Sequence, residues 1–80
     1  MPKLRKTASD AEMRTADDIR QMYGNMLGIK DVQDYLGVSR HTAEKWLADV
    51  DAVMIVRTKK YPALDIAKKI VRNRIPGGSL

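Results

Sequence analysis

Apolar residues recur at helical spacing in several separate stretches of this chain, and the gaps between them are short. Ile19, Met22, Tyr23 and Met26 follow the i, i+3, i+4, i+7 rule, and Thr15 with Asp18 resembles a capping box, so the pattern predicts a helix from Ala16 to Tyr23 stopped by Gly24-Asn25. Leu27-Gly28 reads as a connector. A second helix is expected from Lys30 to Leu36, with Val32, Tyr35 and Leu36 inward and Asp31, Gln33 and Asp34 outward. Gly37-Val38-Ser39 interrupts the chain, Gly37 suiting a left-handed turn and Ser39 a helix N-cap. A third helix from Arg40 to Ala48 turns Ala43, Trp46 and Leu47 inward. Val53 to Val56 is β-prone, Arg57-Thr58-Lys59-Lys60 reads as a basic turn, and the chain returns at Tyr61, which together predict a small hairpin. Pro62 suits the first turn of a last helix carrying Leu64, Ile66, Ala67, Ile70 and Val71 inward, with Asp65 set to pair with Lys68 and Lys69. Pro76-Gly77-Gly78 ends it.

These elements compose a mainly α, single small domain over residues 11–75, between a flexible basic arm at 1–10 and a flexible tail at 76–80. Eighty residues with 44% hydrophobic content support one modest core, and with no Phe it rests on Leu, Ile, Val and Met. No apolar run approaches the roughly 18 residues of a membrane span, and nothing in the first residues reads as a signal peptide. Zero cysteines exclude disulfides, thiolate metal sites and cysteine nucleophiles, in keeping with a cytoplasmic protein.

Charge changes the picture. The net +5 lies entirely in the second half: residues 1–38 balance six basic against six acidic, whereas from Ser39 onward nine basic residues face only Glu44, Asp49, Asp51 and Asp65. A pI near 9.8 in so short a chain favours a polyanionic partner. The candidate contact residues are Ser39, Arg40, His41, Thr42 and Lys45 around the third helix, where polar side chains near a helix N-terminus can reach base edges, and Arg57, Thr58, Lys59 and Lys60 in the hairpin, suited to phosphates. The plainer reading of Arg40, His41 and Lys45 is a solvated helix face, and of the lysines a solubility surface. Trp46 reads as core, and Met13, Met22, Met26 and Met54 as gap-filling core or interface residues. No catalytic or cofactor site is expected. His41 is the only imidazole, Ser39 two residues away would not face it as a nucleophile faces its base, and neither a Gly-rich phosphate loop nor a metal constellation is present.

The run from Leu36 to Leu47, Leu-Gly-Val-Ser-Arg-His-Thr-Ala-Glu-Lys-Trp-Leu, resembles the helix-turn-helix of excisionase-type DNA-binding proteins, and Lys60 to Ala67 is similar to the segment after the wing in MerR-like winged-helix domains. The resemblance covers residues 29 to 71. It implies a small winged helix-turn-helix domain with a short β-hairpin wing and an extra N-terminal helix. It implies sequence-selective binding of double-stranded DNA, the recognition helix in the major groove and the wing on the backbone. The implied role is a recombination directionality or architectural factor of a phage or integrative element, with an integrase as a protein partner and cooperative self-association on DNA. Relatives carry glycines before and at the tip of the wing, where this chain has Ala48-Asp49-Val50-Asp51 and Arg57-Thr58-Lys59-Lys60. The long dimerisation helix of MerR regulators does not fit after Asn73, so an effector-sensing regulator is not expected. A phage repressor and a DNA-packaging small subunit share the same architecture. The reading of another class is a protein-interaction adaptor that docks through residues 16–26; membrane-surface binding lacks an exposed apolar face beside the basic one.

Overall fold

A computed structural model describes residues 8–75. Among these, four helices and three short strands follow in the order α1 (Asp10–Tyr23), β1 (Met26–Leu27), α2 (Ile29–Leu36), α3 (Arg40–Trp46), β2 (Val53–Ile55), β3 (Thr58–Pro62) and α4 (Ala63–Arg72). The domain is mainly helical, and its three strands form an antiparallel sheet in the order β1-β3-β2. No described helix is long and apolar enough to cross a membrane. Most of the N-terminal arm and all of the tail at 76–80 lie outside the described residues, whereas of the expected arm Asp10 begins α1 and Ser9 caps it.

That helix begins six residues earlier than its apolar spacing predicts. Ser9 is the N-cap: its hydroxyl accepts from the Glu12 N–H at 3.2 Å while the Glu12 carboxylate accepts from the Ser9 N–H at 2.9 Å. This reciprocal pair satisfies two otherwise orphaned donors and moves the start away from Thr15. Thr15 is buried instead, and the Arg74 guanidinium donates to its hydroxyl at 3.4 Å. Ala16 and Ile19 turn fully inward and pack with Ala63, Ile66 and Ala67 of α4, so the first and last helices cover each other.

A crossed pair of hydrogen bonds ties α1 to α2. Tyr23 on α1 donates its phenol to the Asp34 carboxylate on α2, and Tyr35 on α2 donates to Asp18 on α1 at 3.0 Å, with the two rings edge to face at 6.1 Å between centroids. Donating to a carboxylate is possible only while the phenol keeps its proton. The Asp34 carboxylate accordingly pushes Tyr23 up to about 12, and burial, followed by the bond to Asp18, raises Tyr35. Because both values rise on folding, the clasp contributes fully below the ordinary phenol value near 10.0 and is lost as pH climbs towards 12. Spectrophotometric titration is expected to show Tyr23 ionising last, and Asp34→Asn to bring it back towards its ordinary range. Two tyrosines ionising together in the ordinary range while the chain is still folded would exclude the clasp.

Gly28 precedes α2, with the Asp31 carboxylate reaching back to its N–H at 3.1 Å. Gly37 then closes α2 in the left-handed conformation (φ 70°), where a Cβ would be strained, and its N–H and that of Val38 both return to the Gln33 carbonyl. Ser39 starts α3 as expected, its hydroxyl accepting from the Thr42 N–H at 3.2 Å. Thus two short helices are joined by a three-residue turn. The core, to which every element except β2 contributes, is Ile19, Leu27, Val32, Ala43, Leu47, Tyr61 and Ile66 with the small Ala16, Ala63 and Ala67 between them.

Two other expectations change. Residues 26 and 27 are a strand, paired with Pro62 and Tyr61, not a connector. The basic turn is displaced: Val53, Met54 and Ile55 pair with Lys60, Lys59 and Thr58, so Thr58, Lys59 and Lys60 are strand residues and the turn is only Val56-Arg57. Positive φ at the first of two turn residues is the sign pattern of a type II′ connection, a position that favours glycine. Here Val56 occupies it at φ 57°, which for a β-branched residue costs about 1–2 kcal/mol.

Candidate nucleic-acid interface

The α3 helix is short, and its wheel divides the candidate residues into three groups. Ala43 and Leu47 are buried, and Trp46 is half-buried. Successive residues advance by 100°, so His41 and Lys45 occupy the crest opposite Ala43 and Leu47, Arg40 and Glu44 one flank, and Thr42 the other. Arg40 Nε donates to Glu44 Oε2 at 3.2 Å, and both side chains remain more than half exposed. An exposed i, i+4 pair of this kind contributes only a few tenths of a kcal/mol, on the order of 0.3–0.5. Its geometric effect is larger, because engaging Nε leaves the two terminal guanidinium nitrogens for a forked contact.

Between this flank and the hairpin runs an open groove of about 690 Å³, lined by Arg40, Glu44, Arg57, Thr58 and Lys59 over a floor that includes Leu47 and Tyr61. The fold therefore brings four of the nine predicted residues, Arg40, Arg57, Thr58 and Lys59, to one cleft. His41 and Lys45 lie outside it on the crest of α3, with no ion pair or hydrogen bond from their side chains among the described residues. Ser39 and Thr42 are spent on each other, since the Ser39 hydroxyl also donates to Thr42 Oγ1 at 3.1 Å. Ser39 thus acts first as a cap, and its proton is engaged.

Lys60 separates from its neighbours. Strand residues alternate faces, so Lys59 and Lys60 cannot share one. The Lys60 ammonium lies over Gly28, where an added Cβ would come within 3.4 Å of it. Grouping it with Arg57 and Lys59 as one contact turn is corrected by the pairing of β3.

The acidic residues of the second half are segregated. Asp49, Asp51 and Asp65 line a different cleft together with Lys69 and Arg72. Lys69 donates to the Trp46 carbonyl and to the Asp49 carboxylate, and its ammonium stands 4.8 Å from the centre of the Trp46 ring. The bond from Lys69 holds the Asp49 carboxyl below its usual range. Lys69 was expected to pair with Asp65 one helical turn away; it is drawn to the end of α3 instead, where it caps a carbonyl and anchors the helix to α4. With three carboxylates gathered there, only Glu44 among the acidic residues after Ser39 faces the groove. This separation was not visible in the sequence, because Asp49, Asp51 and Asp65 meet only after α4 docks.

Among the described residues no group of His, Asp and Glu could hold a metal ion. No protein-family model matches the chain, and no significant match is found among curated proteins or solved structures.

Proposed function

We propose that this chain is a sequence-selective double-stranded DNA-binding module of the winged helix-turn-helix type, α3 entering the major groove and the β2-β3 hairpin lying on the backbone. The observation that carries the reading is the separation of charge: Arg40, Arg57 and Lys59 converge on one groove, with Lys45 and His41 beside it, while three of the four acidic residues after Ser39 are collected in another cleft. An ordinary solubility surface intersperses its signs, whereas a polyanion groove concentrates one of them. The three-residue turn from Gly37 to Ser39, which holds α3 out from α2, supports the same reading. Within that class, the resemblance of residues 36–47 to excisionase-type proteins favours an architectural or recombination directionality role over a catalytic one.

The test is an NMR titration of the labelled chain with a random duplex at low and moderate salt. Amide shifts are expected from Ser39 to Lys45 and from Arg57 to Tyr61, and log affinity is expected to fall with log salt at a slope of about −0.9 for each phosphate neutralised. Absence of salt-dependent shifts there, or shifts gathered on α1, would refute the DNA reading and favour a protein partner for α1.

A further inference from the structure

The hairpin has a second property besides the basic groove, which Met54 and Arg57 also line. Its outer strand β2 is the edge of the sheet, and Val53, Met54 and Ile55 are 45%, 63% and 44% exposed, with Val56 beyond them at 92%. Four consecutive apolar residues stand in water without a single charge among them. Edge strands are ordinarily protected by a lysine, a proline or a bulge, because their open N–H and C=O groups accept another strand. β2 has none of these, and only its shortness, three residues, limits its edge. With Ile55 and Thr58 closing the two-residue turn, the alternation of an antiparallel ladder aims the Met54 N–H and C=O at the open edge. No other described backbone segment hydrogen-bonds to that side.

The sequence around this edge is complementary to itself when reversed. Placing Met54 against Met54 of an identical strand running the opposite way sets Val53 against Ile55 and leaves Asp51 of each copy beside the turn that carries Arg57 of the other, at both ends. Asp51 is exposed and makes no ion pair among the described residues. Arg57, in the turn, has none either.

We infer that β2 is the surface through which two copies of this chain pair, antiparallel about a two-fold axis at Met54, with Asp51 of each beside the turn that carries Arg57 of the other. The pairing continues the sheet across both copies and covers the exposed apolar run on each. A two-fold contact of this kind is closed, so it stops at two copies. Only a three-residue strand and its turn meet, so the interface is small and a weak dimer is expected. The inference stands independently of DNA binding. If both hold, two copies of α3 are presented with the symmetry of a palindromic site.

Analytical ultracentrifugation from about 10 µM to about 1 mM is expected to show a monomer converting to a dimer and nothing larger. Over the same range, exchange of the Met54 amide proton is expected to slow. Met54→Lys places two like charges on the axis and is expected to weaken association about tenfold or more. Asp51→Arg and Arg57→Asp should each weaken it, and the double exchange should restore it to within about threefold of the original. A monomer throughout the range, growth beyond a dimer, indifference to Met54→Lys, or a double exchange as weak as the single ones would each overturn the proposal. A failure here leaves the salt-dependent DNA titration untouched, so the two readings are separable.

Discussion

Ile19→Ala is expected to destabilise the fold by about 2–5 kcal/mol, the range for deleting a buried branched side chain where neighbours cannot collapse into the space. Ile19 is fully buried, and the residues beside it in the core are already small: Ala16 on its own helix, Ala63 and Ala67 on α4. Alanines have no side chain with which to refill a cavity. A domain of this size seldom has more than about 3–5 kcal/mol in reserve from its core, so the variant is expected to be largely unfolded near body temperature. Urea unfolding followed by circular dichroism measures the loss. Met22→Ala on the same helix, where the side chain is 57% exposed, is the control and is expected to change stability by less than about 0.5 kcal/mol. Equal effects at the two sites would show that α1 does not bury the face described.

The second large effect is on binding. Arg40→Ala is expected to cost roughly 1–3 kcal/mol on the preferred duplex and to relax the choice of base at one position, because Nε is occupied by Glu44 and the remaining fork of the guanidinium is the part proposed to meet a base pair. Lys59→Ala is expected to act differently. A side chain that meets phosphate weakens every duplex alike and flattens the salt slope by about 0.9. Glu44→Ala removes the one carboxylate lining the groove, and tighter, less selective binding is expected from it. Competition binding with a panel of single-base variants separates the three outcomes. If Arg40→Ala lowers affinity uniformly and leaves the base preference unchanged, Arg40 is a backbone contact and the assignment of base reading to this flank of α3 is wrong.

Much of the helical framework was legible because its signals are local. The turn from α2 to α3 is written in three consecutive residues: Gly37 takes the left-handed conformation that other residues avoid, Val38 follows it, and Ser39 caps the next helix. The spacing of Leu64, Ile66, Ala67 and Ile70 likewise announces α4. The first turns of α1 carry an equally local signal, Ser9 to Glu12, but it lies in a polar stretch, and the residue the fold buries there is Thr15 rather than a hydrophobe. Periodicity of apolar residues therefore starts too late. Strand β1 is beyond such reading altogether: two residues have no period, and they become a strand only because Tyr61 and Pro62 come alongside.

The hairpin tip was misplaced for a different reason. Its turn has none of the residues that favour positive φ, since Val56 accepts that conformation under strain. With no glycine or asparagine to mark the reversal, the polar run Arg57 to Lys60 looked like the loop. Once three of those four residues are recognised as a strand, the divergence of Lys59 and Lys60 follows from the pleat. The groove itself, in contrast, joins Arg40 to Lys59 and Tyr61 across a fold that local patterns do not encode.

The packing of α1 on α4 also sets an order of events during synthesis. Ala16 and Ile19 leave the ribosome early, but the helix that covers them is the last element of the described chain to be made. Until α4 emerges, the nascent chain can form isolated turns and the α2-α3 pair, whose contacts are local, while the part of the inner face of α1 that α4 covers stays bare. Folding of this domain is therefore completed from its C-terminal side, and a translational pause placed before Ala63 would prolong the interval in which a chaperone, rather than the chain itself, must shield that face.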